Sequence, residues 1–180
     1  LERIGLIGEL GRQIFDQASA FTQKIQENGN HGFCVAVNTA PSQLDEGDFF
    51  AYLAGATERF GILPGAMELE ITESVIMNAE SFNFAALDFL DKVRSICLRI
   101  SLDDFGTGTS SLSRLRSLAK HVDKIKIDKS LVDQIGDDGG DIYFKAILNL
   151  ARSLDTPEKK IVFVIEGVET QSQADFLLSD

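Results

Sequence analysis

The chain has 180 residues, of which 44% are hydrophobic, so it can bury a core as one domain. Its 28 acidic and 17 basic residues give a net charge of -11 without any lysine–arginine block, which argues against binding to long nucleic acid. The sequence contains no signal peptide and no apolar run of the ~20 residues that cross a membrane. We therefore expect a cytoplasmic domain, although its parent protein can carry a membrane anchor elsewhere.

The first half of the chain alternates between helical and extended patterns. Apolar residues recur at helical spacing from residue 2 to residue 27, and "NGNHG" then breaks the pattern. The next predicted elements are a strand, "FCVAVN", a helix, "DEGDFFAYLAGATERFG", a strand, "MELEIT", and a helix over 80–96.

The second half continues the alternation. The predicted elements are a strand, "LRISLD", a helix over 110–118, a strand, "VDKIKID", a helix, "DIYFKAILNLARSL", a strand, "KKIVFVIE", and a helix from about Thr170. Most of these strands are apolar almost throughout, as in parallel sheets that are covered on both faces.

Five strands that alternate with helices predict an α/β fold with a parallel sheet. An open doubly wound sheet and a TIM-type (β/α)8 barrel both fit this order. A complete barrel needs eight strands and at least ~200 residues. Since the chain begins in "LERIGLIGEL" and stops in "ADFLLSD", both of helical character, we expect part of a larger domain.

Polar or acidic residues stand at the end of every predicted strand. They are Asn38, Glu70 followed by Glu73, Asp103 with Asp104, Lys126 with Asp128, and Glu166 followed by Glu169. Because the carboxyl ends of parallel strands face one side, where active sites form, we expect these residues to converge there. Helix capping explains Glu73, Asp128 and Glu169 equally well.

The adjacent carboxylates of Asp103 and Asp104 are harder to explain by capping. They repel each other at the end of a buried strand, and a divalent cation would compensate. Carboxylate and amide oxygens suit Mg²⁺ or Mn²⁺, and a pair of such ions is a common device for cleaving phosphate esters. Lys126 could then add positive charge near the phosphate or steady the attacking water.

Two other features carry less information. The "GTG" after Asp104 lacks the pattern of a phosphate-binding loop, and its glycines are better explained by a sharp bend. Cys34 and Cys97 sit in apolar runs, which predicts buried free thiols in a reducing compartment.

Five motifs occur in order along the chain: "VAVNTAPSQL", "MELEITES", "SLDDFGTGTSSLSRL", "DKIKIDKSLV" and "IEGVET". Together they closely resemble the EAL domain family, the cyclic di-GMP phosphodiesterases of bacterial signalling. The resemblance implies a modified (β/α)8 barrel, with about five βα units in this chain. It also implies hydrolysis of cyclic di-GMP to linear pGpG with Mg²⁺ or Mn²⁺ and a metal-activated water.

The resemblance implies that residues 1–180 form an incomplete EAL-like domain. The first strands, with the Glu-Ala-Leu motif and its metal-binding glutamate, and the last strand would lie outside it. The implied metal ligands are Asn38, Glu70, Asp103, Asp104, Asp128 and Glu166.

The resemblance also assigns roles in catalysis and regulation. Lys126 would be the catalytic lysine that positions water, acting with Glu70 and Asp103. Glu73 would anchor the loop after Asp104, and Glu169 would line the guanine side of the substrate site.

The same resemblance predicts a homodimer through the loop and helix that follow Asp104, and allows a sensory or GGDEF-type domain in the full-length protein. One alternative is a catalytically inactive EAL-like domain that binds cyclic di-GMP or a protein. Another is an unrelated Mg²⁺-dependent barrel enzyme. Such inactive domains usually lose several metal ligands, whereas every ligand expected within this span is present, which favours the enzyme.

Overall fold

The computed structural model describes residues 6–44, 47–73, 84–107, 112–156 and 159–179. In these residues strands and helices alternate in the predicted order. The strands are β1 (Val35–Asn38), β2 (Met67–Thr72), β3 (Arg99–Phe105), β4 (Lys124–Ile127) and β5 (Val162–Ile165). The helices are α1 (Ile7–Glu27), α2 (Pro41–Leu44), α3 (Phe49–Arg59), α4 (Phe84–Ser95), α5 (Leu112–Ala119), α6 (Lys129–Val132), α7 (Gly140–Arg152) and α8 (Gln171–Leu178).

The strands form one five-stranded parallel sheet in the order β1-β2-β3-β4-β5. Val35 of β1 is the register partner of Met67 in β2, and Lys124 of β4 is the partner of Val162 in β5. Each strand is thus followed by helix and then by its parallel neighbour, as crossover connections require. This arrangement confirms the predicted α/β class.

The described residues divide into two compact units. The first comprises 6–71 and 84–101, and the second 72–73 and 102–179. In the first unit α1 packs against α2, α3 and β1, and α3 packs against α4. The completely or almost completely buried side chains of Phe15, Phe49 and Leu53 fill the space between these elements.

Polar contacts join α1 to α3 at the rim of this core. The Tyr52 hydroxyl donates to the Arg12 carbonyl at 2.7 Å, and the Arg12 guanidinium lies 2.8 Å from Asp48. Burial, followed by the neighbouring Asp16, raises the pKa of Tyr52 to about 12, so this phenol stays a donor at neutral pH.

The second unit has its own apolar core. Ile125 and Ile127 of β4 are buried together with Leu118 of α5 and Phe144 of α7. Phe144 also meets Phe176 of α8 edge to face, with ring centroids 6.0 Å apart. The alternation of Ile125 and Ile127 with Lys124 and Lys126 leaves the two lysines on the opposite face of β4.

The structure corrects several predicted details. Strand β3 continues beyond Asp103 to Phe105, and the one-turn helices α2 and α6 follow β1 and β4 in stretches for which no element was predicted. Cys34 is half-buried and Cys97 is exposed, whereas both were predicted to be buried. Cys97 lies in a turn, where its φ is +62°. Both cysteines are free thiols, as predicted.

None of the helices in the described ranges combines the length and the apolar character that crossing a membrane requires.

Candidate functional site

In the first unit, two predicted site residues lie beside each other on neighbouring strands, Asn38 as the last residue of β1 and Glu70 two residues before the end of β2. Asn38 of β1 is the register partner of Glu70 in β2, and the amide of Thr39 donates to the Glu70 carbonyl at 2.9 Å. Leu69 and Ile71 are buried on the other face of β2, so alternation turns Glu70 away from that apolar layer. An amide and a carboxylate therefore stand at the same end of the two strands.

In the second unit, the end of β3 departs from regular strand geometry at Asp104. This residue has a φ of +56°, a left-handed conformation that aspartate tolerates better than most residues. In a regular strand, adjacent side chains point to opposite faces. The left-handed residue breaks that alternation, and Asp104 interacts electrostatically with Asp103, Asp128 and Glu166.

Lys126 of β4 bridges two of the predicted acids. Its Nζ lies 3.0 Å from Asp103 Oδ1 and 2.9 Å from Glu166 Oε1. The side chains of Lys126 and Asp103 are only 14% and 13% exposed, so water screens this contact far less than it screens a surface ion pair. Lys126 thereby ties the ends of β3 and β5 to its own strand.

The pKa of the Asp104 carboxyl depends on its burial and on the charged residues around it. Burial, followed by repulsion from Asp103, Asp128 and Glu166, raises the pKa of the Asp104 carboxyl above its usual value, and Lys126 opposes that rise. The Lys126 ammonium cannot neutralise four carboxylates. The second unit therefore holds an excess of negative charge at the ends of its strands.

Asp128 has a second role besides this electrostatic one. It is the N-cap of α6, and its Oδ1 accepts hydrogen bonds from the Ser130 amide, at 2.9 Å, and from the Ser130 hydroxyl, at 2.5 Å. The Ser130 hydroxyl and then the Ser130 amide hold the pKa of Asp128 below its usual value. The carboxylate is thus fixed in one orientation and kept ionised.

Glu73 contacts the turn that follows Asp104. Its Oε2 accepts a hydrogen bond from the Gly106 amide at 2.8 Å, and the side chain is 1% exposed. The turn is closed by Thr107, whose hydroxyl donates to the Asp104 carbonyl at 2.9 Å. Glu73 thus contacts the first residue of this turn, and its predicted role as the anchor of the whole loop stays a prediction. Gly108, the second glycine of "GTG", lies outside the described residues.

Glu169 lies in the connection between β5 and α8. Its carboxylate forms an ion pair with the Lys129 ammonium, and its amide donates to Gln173 Oε1 at 2.9 Å. Hydrogen bonding to Glu169 raises the pKa of Lys129 above its usual value. The predicted contact of Glu169 with substrate stays a prediction.

Within the described residues, no three or more His, Cys, Asp or Glu side chains form a cluster that could hold a metal ion as it stands. The donor chemistry nevertheless fits a hard divalent cation, because carboxylate oxygens are the ligands that Mg²⁺ and Mn²⁺ prefer. The raised pKa of Asp104 points the same way, because it arises from burial and then from neighbouring carboxylates, which Lys126 offsets only in part. The individual ligand assignments stay predictions.

Two side chains around this group were not singled out from the sequence. They are Ser130, which fixes Asp128, and Lys129, which pairs with Glu169. An Asp-x-Ser pattern at a helix start is a readable signal for the first. Nothing local in the sequence indicates the second, because its partner lies 40 residues further along the chain.

Comparison with known proteins extends these observations to the whole chain. The family model for the EAL domain matches residues 1–179. The chain is 38% identical, over 98% of its length, to an uncharacterized signaling protein of Caulobacter vibrioides, of which it covers 20%. It is 32% identical, over 98% of its length, to the bifunctional diguanylate cyclase/cyclic di-GMP phosphodiesterase MucR of Pseudomonas aeruginosa, of which it covers 24%. The chain thus spans about a quarter or less of the length of these two relatives.

Solved structures agree with the sequence comparison. The MucR phosphodiesterase in complex with cyclic di-GMP superposes with a TM-score of 0.84 at 31% identity, over 99% of this chain and 68% of that one. The EAL domain of Mycobacterium smegmatis DcpA superposes with a TM-score of 0.81 at 34% identity, over 96% of this chain and 74% of that one. EAL domains are TIM-barrel-like, which confirms the predicted barrel family. The chain belongs to the EAL domain family.

Proposed function

We propose that this chain is part of the catalytic domain of a phosphodiesterase that hydrolyses cyclic di-GMP to linear pGpG with Mg²⁺ or Mn²⁺. One observation carries the proposal: Lys126 lies among carboxylates at the ends of consecutive parallel strands, where barrel enzymes place their chemistry. The relative MucR, a bifunctional diguanylate cyclase/cyclic di-GMP phosphodiesterase, supports the choice of substrate.

The acidic group of the second unit would hold the cation through Asp103, Asp104, Asp128 and Glu166. Asn38 and Glu70 remain predicted ligands from the first unit. When bound, the cation supplies positive charge for the phosphate and acidifies the attacking water.

Lys126 would supply a fixed positive charge from the protein itself. Its salt bridges hold the ammonium between β3 and β5, so little rearrangement is needed before it faces an anionic phosphate. Ser130 keeps Asp128 ionised, which leaves that carboxylate able to bind a cation. Glu73 holds the turn beyond Asp104 and thereby restricts the backbone at Asp103 and Asp104.

The proposal includes two partners at the level of the whole protein. We infer a homodimer through the loop and helix after Asp104, and a sensory or GGDEF-type domain elsewhere in the protein. The structure of a LapD segment that contains both GGDEF and EAL domains is an example of this combination.

The test uses the complete protein that carries this chain, incubated with cyclic di-GMP and Mn²⁺, with nucleotides separated by chromatography. We expect pGpG to accumulate, and to stop accumulating when EDTA removes the metal. Cyclic AMP and a generic phosphodiester serve as substrate controls. Binding of cyclic di-GMP without turnover would instead support a receptor, and turnover of the generic ester alone would support a different barrel enzyme.

A further inference from the structure

The connection between β5 and α8 is attached to helix α6 at two points. The Lys129 ammonium at the start of α6 forms an ion pair with Glu169. At the other end of α6, the Val132 carbonyl accepts a hydrogen bond from Gln173 Nε2 at 3.3 Å. Gln173 Oε1 also accepts from the amides of Glu169 and Thr170, at 2.9 and 3.0 Å. The segment 166–173 is therefore bound to both ends of α6, through Glu169 and through Gln173.

Gly167 lets the two elements approach closely. It has a φ of +72°, and a Cβ at this position would lie 2.3–2.8 Å from the Cγ, Cβ and Cδ atoms of Lys129. Only a residue without a side chain leaves room for the lysine stem there. Lys129 thus crosses directly over the backbone that follows Glu166 before it reaches Glu169.

These contacts lie on the C-terminal side of Glu166, in the residues that follow it, whereas Lys126 contacts the Glu166 carboxylate itself. The Glu166 amide is fixed by the Ile127 carbonyl at 3.0 Å, and its carboxylate meets Lys126 at 2.9 Å. Immediately after Glu166 the chain turns at Gly167. Beyond that turn the Lys129–Glu169 pair restrains the path of the chain together with the hydrogen bonds of Gln173.

We propose that Lys129, acting through Glu169, is a positioning residue that holds the loop after β5 and so orients Glu166 in the catalytic group. The proposal rests on the phosphodiesterase function proposed above. It gives Glu169 a role through the protein rather than through substrate. Lys129 itself lies at the surface, 43% exposed, and needs no contact with the reacting atoms.

The test is a double-mutant cycle in the complete protein with Lys129→Met, Glu169→Ala and both together. Methionine retains much of the stem against Gly167 and removes the charge. We expect Lys129→Met to lower kcat about tenfold, since small displacements of a catalytic group are costly, and to change KM less than about twofold. Glu169→Ala should match it, and the double variant should be no worse than either single variant.

Two variants serve as matched controls. Asp133→Asn removes the other carboxylate near Lys129, 3.6 Å away, and Lys160→Met breaks an exposed pair with Asp155 before the start of β5. Both should keep the kcat of the unmodified protein. Additive losses in the cycle, or a rise in KM for Glu169→Ala alone, would mean that Glu169 contacts substrate and would overturn the proposal.

Hydrogen exchange provides a readout that does not need activity. Lys129→Met should accelerate amide exchange in segment 166–173, while Lys160→Met should leave it unchanged. Unchanged exchange in Lys129→Met overturns the proposal even if turnover falls, and faster exchange with full turnover overturns the positioning role. If the unmodified protein hydrolyses no cyclic di-GMP, the proposed function fails, whereas exchange still decides whether Lys129 holds the loop.

Discussion

At the scale of single residues, the adjacent aspartates of β3 share one environment because the backbone is left-handed at Asp104. Asp103 meets Lys126, and Asp104 experiences the repulsion of the surrounding acids. A regular strand would have placed one of the two carboxylates on the helix-covered face, where an unpaired charge is costly. The conformation of a single residue therefore decides whether the site has one aspartate or two.

Replacing Asp103 by asparagine tests this residue. Asp103→Asn preserves size but removes the charge that faces Lys126 and the proposed cation, so we expect kcat for cyclic di-GMP to fall by roughly 100-fold or more. Circular dichroism and thermal melting should show a folded protein. Asp123→Asn, which alters an ion pair with Lys159 elsewhere in the same unit, is the control. Near-normal turnover in Asp103→Asn would contradict the metal-site assignment.

At the scale of elements, the turn after β3 depends on Gly106. Its φ is +97°, and a Cβ there would lie 2.5 Å from Leu131 Cδ1 and 3.3 Å from Ile147 Cγ2. We expect Gly106→Ala to lower the free energy of unfolding by about 1–3 kcal/mol, measured by urea denaturation, because it adds both backbone strain and overpacking.

Gly55→Ala is a control for that experiment, because it should change the free energy of unfolding in the opposite direction. Gly55 lies inside α3, and apart from its chain neighbours and the backbone of the helix itself no atom lies within 4 Å of a Cβ built there. Alanine should therefore stabilise the protein by about 0.4–1 kcal/mol. A Gly106→Ala variant as stable as the unmodified protein would show that the turn can relax around a side chain.

Much of the architecture is readable from the sequence at this scale, and the exceptions have physical causes. The alternating apolar residues of β2 and β4 and the periodic pattern of α7 indicate the α/β order, because burial imposes those patterns. The one-turn helices α2 and α6 are too short to show a period. Strand β3 passes through Asp104 because tertiary contacts hold an uncommon backbone conformation that no pattern signals.

The candidate site was predictable to a similar degree. The acids at strand ends are visible in the sequence because parallel topology brings such ends together. Which of them touch is not visible, since Lys126 reaches Glu166 across 40 positions of sequence and Lys129 reaches Glu169 across the same separation. Side-chain pairing of this kind depends on register and on rotamers, which the sequence pattern leaves undetermined.

At the scale of the whole molecule, the charge of the site opposes folding. The chain carries a net charge of -11, and the second unit concentrates Asp103, Asp104, Asp128 and Glu166 around Lys126. Their mutual repulsion lowers the stability of the folded state, while in the unfolded chain the same carboxylates separate and are hydrated. A ligand that binds only the folded arrangement should therefore stabilise the protein by mass action.

Mn²⁺ is the ligand to test, and thermal unfolding is the measurement. At ~100 times its dissociation constant, an ion that binds only the folded state adds about 2.7 kcal/mol, which raises Tm by about 5–10 °C in a domain of this size. Excess EDTA should reverse the shift, and NaCl at equal ionic strength should give a much smaller one, because screening acts weakly on buried charges. Asp103→Asn should lose most of the Mn²⁺ effect, whereas Asp123→Asn should retain it. An equal shift with NaCl would mean that the carboxylates of β3 to β5 need only general screening, and the proposed cation site would have to be abandoned.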